Sequence, residues 1–192
     1  MKEDGLFDRL GRLDVNTVRL CAVVLIAVVV GVILAVNALD DDEAQGDRSQ
    51  AVVLSEPELL ARAGGLSHLA YWVGPQPGAK RYELTSKPGE QIYIRYLPSA
   101  AQAEDRRPRF LIVGTYAVPD ARRALEDAAR GPKGSGKLSR QNGFEMMSAA
   151  DGQHAYVVFA DQPELQIEVF SPRPGEAERL ALSGALQPLR EG

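Results

Sequence analysis

The longest apolar stretch of the chain covers residues 20–39 (LCAVVLIAVVVGVILAVNAL) and contains no charged side chain. At 1.5 Å of rise per residue, a helix of this length crosses the roughly 30 Å hydrocarbon core of a bilayer. Basic residues precede the stretch and an acidic run follows it at 40–43, and positive charge favours the cytoplasmic side. A cleavable signal peptide is the alternative, but its apolar region is typically only about 7–15 residues long.

The pattern therefore predicts a single-pass membrane protein whose N-terminus is cytoplasmic. Residues 1–18 are then a short tail, too small for a core of its own, and 19–39 are the transmembrane helix in the lipid bilayer. The acidic segment that follows predicts a solvated stalk at 40–54, and 55–192 remain as the extracytoplasmic domain. Any function is expected to lie in that domain.

The first half of the outer domain begins with a short helix and continues with β-type runs. Ser55 and Glu58 have the spacing of a capping box and predict a helix over 56–63. Residues 82–85 and 91–97 are β-rich and flank a Pro-Gly turn, which predicts a hairpin. The continuous apolar run at 110–116 predicts a central strand covered on both faces. A Pro-Asp pair at 119–120 then opens a helix that ends near residue 130.

The second half repeats this order, with strands predicted at 144–148, 155–160 and 165–170 and a helix at 174–183. The first two strands flank Asp151-Gly152, a strong hairpin turn signal. Matching residues recur between the halves and are, with their counterparts, Tyr82 with Phe144, Tyr93 with Tyr156, and Tyr116 with Phe170. We expect two βββα repeats, at 82–131 and 144–184, the first with a polar loop inserted at 99–109. The alternative is that two unrelated amphipathic meanders look alike.

These elements predict an α+β fold, with helices packed on an antiparallel-rich sheet or half-barrel. The formal net charge of −4 argues against nucleic acid as a partner. The single cysteine, Cys21, lies inside the apolar stretch, so the outer domain is expected to hold together by its core alone.

Candidate catalytic and metal sites are weak. Residues 131–138 match the spacing of a phosphate-binding loop, but Leu138 replaces the required Ser or Thr, and a flexible connector is predicted. Neither His68 nor His154 has a second metal ligand at a typical spacing, so we predict no metal site and no cofactor. Ser148 does not lie in a nucleophile elbow, and no catalytic residue is assigned. A hydrolase that uses His154 with Asp151 or Asp161 remains an alternative.

The segment 68–78 (HLAYWVGPQPG) carries the only tryptophan of the chain in a loop rich in proline and glycine. Tyr71 and Trp72 suit stacking on a sugar or on the apolar surface of a partner. The alternation around them also fits a half-buried strand with one ring in the core. The predicted ligand-binding residues are Tyr71, Trp72, Tyr82 and Tyr93.

Two arginine clusters suggest contacts with anionic envelope polymers or lipid headgroups, one at 106–109 and the other at Arg122 and Arg123. Such charges are more commonly solvated, and Glu126 and Asp127 are at helical spacing from the second cluster.

The segments YWVGPQPG, YELT, IYIRYLP and VGTY resemble a group of uncharacterised, membrane-anchored proteins of high-GC Gram-positive bacteria. The resemblance implies location and topology but transfers no functional residue. The sequence thus predicts a non-catalytic binding or scaffolding domain of the cell envelope, with an envelope protein or glycan as its partner. A glycan or small-molecule module built on Tyr71 and Trp72 is the first alternative. The oligomeric state stays open.

Overall fold

The computed structural model describes residues 50–87, 91–103, 105, 107–131, 136–141 and 143–190. The predicted tail at 1–18, the transmembrane helix at 19–39 and the stalk up to residue 49 lie outside these residues. In the described part of the chain, no helix is both long enough and apolar enough to cross a bilayer.

The fold is a mixed α+β structure dominated by an antiparallel sheet, in agreement with the predicted class. Its strands are β1 (Gln50–Leu54), β2 (Tyr71–Trp72), β3 (Arg81–Lys87), β4 (Gln91–Leu97), β5 (Ile112–Ala117), β6 (Lys137–Gln141), β7 (Phe144–Ser148), β8 (His154–Phe159), β9 (Leu165–Phe170) and β10 (Gln187–Pro188). Its helices are α1 (Glu56–Arg62), α2 (Ala121–Ala129) and α3 (Glu176–Leu182), with 3-10 turns at Ala63–Gly65 and Ala100–Gln102.

Eight strands form one sheet in the order β1-β3-β4-β5-β9-β8-β7-β6, and every neighbouring pair is antiparallel. The apolar run predicted as a central strand is β5, which lies in the middle of the sheet and is buried over most of its length. The short strands β2 and β10 pair with each other as a separate ribbon.

The two faces of the sheet have different covers. Face A carries alternate side chains such as Ile94, Val113 and Val169, and it packs on α1, α3 and the β2–β10 ribbon in the larger core. Face B carries the other set, and over its second half Tyr156 and Val158 pack under α2 around Leu125. The alternation of side chains along each strand produces this division.

The first helix begins as its sequence predicts. The Glu58 carboxylate accepts hydrogen bonds from the backbone N–H of Ser55, at 2.7 Å, and from its hydroxyl, at 2.6 Å. The buried Leu59 then anchors α1 in the core of face A.

Two predicted irregular segments contain strands. Residues 50–54, assigned to the stalk from their acidic neighbours, form β1 along β3, because Leu54 enters the core. Residues 137 and 138, predicted as part of a connector, belong with 139–141 to the edge strand β6, which lies along β7. Within the phosphate-loop-like segment, 132–135 lie outside the described residues, whereas Leu138 belongs to β6 and packs against the α2 core.

The sheet has two halves of four strands that meet at the β5–β9 junction. In each half the strands follow one another in chain order from the edge to the centre, as β1, β3, β4, β5 and as β6, β7, β8, β9. Tyr82 and Phe144, which are aligned between the halves, occupy matching register positions. Tyr82 pairs with Tyr96, and Phe144 pairs with Phe159, the residue aligned with Tyr96. The helices depart from this symmetry. Both α2 and α3 contact the second half of the sheet, α2 on face B and α3 on face A.

Candidate functional site

Three of the four aromatic residues predicted to bind ligand lie in the core of face A. Tyr71, Trp72 and Tyr82 are only 2–5% exposed, and the ring of Trp72 meets that of Tyr82 edge-on at 6.1 Å. The half-buried Tyr93 belongs to face B and is separated from them by the sheet. A ligand would reach the first three only if this core opened. Their role in binding stays a prediction.

A polar cluster lies on face B at the centre of the sheet, around the cross-strand pair of Gly114 and Glu168. Glu168 is 1% exposed, and the Tyr116 hydroxyl donates a hydrogen bond to its Oε2 atom. Tyr116 folds over Gly114, where an added Cβ would lie 2.9 Å from the phenolic oxygen. Glycine at this position therefore makes room for the tyrosine–glutamate contact.

His154 connects this buried cluster to the surface. Its Nδ1 lies 2.7 Å from Oδ2 of the partly exposed Asp151, and its Nε2 lies 3.8 Å from Oε1 of Glu168. Asp151 also accepts a hydrogen bond from the backbone N–H of Gln153 at 2.8 Å, so the Asp-Gly turn fixes its position. The result is a row of three titratable groups from solvent to core.

Burial dominates the electrostatics of the cluster. It raises the pKa of Glu168 above its ordinary value, and it raises that of Tyr93 to about 12. Burial and then the Glu168 carboxylate raise the pKa of Tyr116. For Asp151, partial burial acts upward, but the hydrogen bonds from Gln153 and His154 outweigh it, so its pKa is lowered. Among the described residues, Glu168 Oε1 and the Tyr156 hydroxyl are buried without a well-aligned hydrogen bond, but the two side chains are close enough that, beside the larger effect of burial, their contact lowers the pKa of Glu168 and raises that of Tyr156.

The hydrolase alternative rested on His154 with Asp151 or Asp161, and the structure brings His154 to Asp151. Ser148 is opposite Ala155 in the register, so its side chain lies on face A, and that of His154 lies on face B. These two residues therefore do not form a nucleophile–base pair. No group of metal-ligating side chains is found in the described part of the chain.

A second site opens where β6 and β8 end and β7 begins, beside the start of α2. This cleft, called here the arginine cleft, has a volume of about 240 Å³. Its lining residues are Arg122, Arg140, Gln141, Gly143, Phe144, Glu145, Val158, Phe159, Ala160 and Pro163. The charged members are two arginines and one glutamate, so the lining carries a formal charge of +1.

Glu145 organises the arginine cleft. Its side chain is 5% exposed, and its Oε1 accepts hydrogen bonds from Nε of Arg122, at 2.7 Å, and from Nε of Arg140, at 3.1 Å. The arginines come from α2 and β6, and both are more than half exposed. The Oε2 atom of Glu145 is buried and has no hydrogen-bond partner among the described residues.

The two arginine clusters noted in the sequence have different surroundings. Arg107 and Arg109 both pair with Asp105 in the inserted loop. Arg123 lies 3.8 Å from Asp127, as helical spacing predicts. Arg122 instead crosses to Glu145 on β7. Arg106 lies outside the described residues.

Sequence reasoning missed Glu145 and Arg140. A signal for Glu145 exists, because an acidic residue in a strand buried on both faces requires a charged partner. Glu83 is the residue aligned with it in the first half, and Glu83 pairs with Arg95. No protein-family model, curated protein or solved structure matches this chain.

Proposed function

We propose that this protein is a non-catalytic binding domain of the bacterial cell envelope, displayed outside the membrane by an uncleaved helix at 19–39. The observation that carries the binding role is the arginine cleft, where two exposed guanidinium groups converge on one buried carboxylate. Buried carboxylates hold arginines in a fixed orientation, and oriented arginines recognise ligand oxygens. The lipid bilayer is then one partner of the chain, and an envelope glycan or protein is the other.

The location supports this role. A tethered domain samples its neighbours at high effective concentration, so even a small cleft suffices for binding at the membrane surface. The cleft is below the roughly 300–1,000 Å³ of pockets that enclose drug-sized ligands. It therefore suits one exposed unit of a larger envelope component.

Photo-crosslinking in the native host tests the binding role. A photoreactive p-benzoylphenylalanine replaces Ala160, which is exposed and lines the cleft, in the full-length protein. The matched control carries the same group in place of Leu182, which is exposed on α3. We expect an adduct from position 160 alone, and its loss when Arg122→Gln and Arg140→Gln are combined with the probe. Equal adducts from both positions, or none from 160, would refute a ligand in the arginine cleft.

Protease protection in intact cells tests the topology separately. Protease added outside is expected to remove the domain at 55–192 and to spare the tail at 1–18. A protected domain would contradict display outside the membrane, whatever the crosslinking result.

We also propose that the two halves of the sheet arose by duplication of a βββα unit, at 82–131 and 144–184. The matched register pairs, Tyr82 with Tyr96 and Phe144 with Phe159, support this origin. The aligned acidic residues Glu83 and Glu145 add support, because each is buried and pairs with arginine.

A further inference from the structure

The arginines of the cleft retain donors that their ion pairs do not use. Arg122 donates hydrogen bonds from Nε and Nη2 to Glu145. Arg140 donates one hydrogen bond from Nε to Glu145 and one from Nη2 to Glu126. Among the described residues, no hydrogen bond is found for Nη1 of either arginine. The two arginine side chains are 58% and 60% exposed, so these donors are open to an anion from solvent.

The start of α2 adds positive potential on the same side. Arg122 is the second residue of this nine-residue helix, and its N-cap, Asp120, makes no side-chain hydrogen bond to the first turn. Unpaired N–H groups and the helix dipole favour negative charge at this end. The cleft lining is formally +1, but Glu126 outside the lining pairs with Arg140, so the attraction for an anionic group comes from the unused guanidinium donors and the start of α2 rather than from net charge.

The Glu145 carboxylate, unlike the arginines, needs a hydrogen-bond donor from the ligand. Its buried Oε2 lacks a donor among the described residues, and a buried acceptor without a partner costs about 1–3 kcal/mol. This oxygen lies beneath the surface of the cleft, so a ligand hydroxyl reaches it by displacing the side chains above it and then supplies the missing hydrogen bond. A simple anion has no such group, so the cleft fits a ligand that carries an anionic group and hydroxyls together.

We propose that the arginine cleft binds an acidic sugar, with its carboxylate or phosphate on Arg122 and Arg140 and a hydroxyl on Glu145. The volume of about 240 Å³ matches a single sugar unit rather than an extended chain. This assignment rests on the proposed binding role and specifies its ligand. Envelope polymers with sugar carboxylates or sugar phosphates both present this chemistry at their surface.

Calorimetric titration of the full-length protein in a mild detergent tests the assignment. The probes are glucuronate and glucose 6-phosphate, which carry both features, glucose, which lacks the anion, and acetate, which lacks the hydroxyls. We expect at least one of the acidic sugars to bind at least tenfold more tightly than glucose and acetate. Comparison of the two then distinguishes a carboxylate from a phosphate ligand.

The variants locate the binding. Arg122→Gln and Arg140→Gln are each expected to weaken the acidic sugar at least tenfold. The matched control is Arg123→Gln, which removes a neighbouring charge that pairs with Asp127 outside the cleft and is expected to change nothing. Unchanged emission of the buried Trp72 verifies that each variant is folded.

Two results would overturn the acidic-sugar assignment. One is glucose or acetate binding as well as the acidic sugars, and the other is equal affinity in Arg122→Gln and Arg123→Gln. If position 160 still forms its adduct in cells while no sugar binds, the binding role stands and only the ligand class is wrong. If that adduct is also absent, both the binding role of the cleft and the acidic-sugar assignment are wrong.

Discussion

Replacing Glu168 with glutamine should stabilise the protein at neutral and alkaline pH. The carboxyl group is fully enclosed, only its Oε2 atom accepts a well-aligned hydrogen bond, and burial raises its pKa. Glutamine keeps the acceptor for Tyr116 and offers N–H donors to the Tyr156 hydroxyl oxygen in place of the second carboxylate oxygen, whose contact with Tyr156 is poorly aligned. Relief of one buried acceptor without a partner is worth about 1–3 kcal/mol.

The pH dependence follows from the direction of the shift. Because the folded-state pKa lies above the unfolded value of about 4.3, the folded protein binds this proton more tightly. The resulting stability is fully present below the unfolded pKa and is lost as the pH rises through the folded pKa. We therefore expect little difference between Glu168→Gln and wild type at pH 4, and a gain of about 2 kcal/mol at pH 8.

Thermal unfolding of the full-length protein, followed by the emission of Trp72, measures this gain. A chain of this size shifts by about 2–4 °C per kcal/mol, so the Tm should rise by about 4–8 °C at pH 8. Glu164→Gln is the control, because Glu164 is an exposed carboxylate just before β9, and its Tm should not change. A lower Tm for Glu168→Gln at pH 8 would mean that the ionised carboxylate is stabilised by its surroundings, and the reasoning would be wrong.

Two further substitutions test how face B is built. Gly114→Ala places a Cβ against the ring of Tyr116 and should cost about 1–3 kcal/mol in denaturant unfolding, whereas Gly64→Ala, with no atom within 4 Å of the new Cβ, should cost far less. Equal costs would contradict the packing argument. Arg95→Met removes the hydrogen bonds to the carbonyls of Ala103 and Asp105, so hydrogen exchange in the described part of 99–109 should accelerate; an unchanged rate would refute the role of Arg95 as the anchor of that loop.

The sequence predicts the interior of the sheet well and its edges poorly. The strands at 144–148 and 165–170 agree with the structure because burial leaves a continuous or alternating apolar pattern. The edge strand β6 has the sequence KLSRQ, and pairing with β7 stabilises it more than burial does, so no apolar pattern reveals it. Charged residues on edges are common because they discourage unwanted pairing.

The candidate sites show a similar limit. Arg122 was identified as a candidate from its position in a basic pair, but its partner Glu145 lies 23 residues further along the chain. The pairing depends on α2 crossing to the second half of face B, and local spacing does not encode that crossing. The opposition of Gly114 and Glu168 depends in the same way on the register of β5 and β9.

The two aligned acidic residues differ in how far their arginine partners are open to solvent. Glu83 and Glu145 both sit on face B and both hold arginine, but Arg95 is 11% exposed and Arg122 is 58% exposed. Arg95 also holds the backbone of the inserted loop, which closes over the first pair. The second half has no such insertion, and Arg122 at the start of α2 and Arg140 on β6 stay more than half exposed. One arrangement of acid and base is therefore a covered contact in the first half and a solvent-exposed contact in the second.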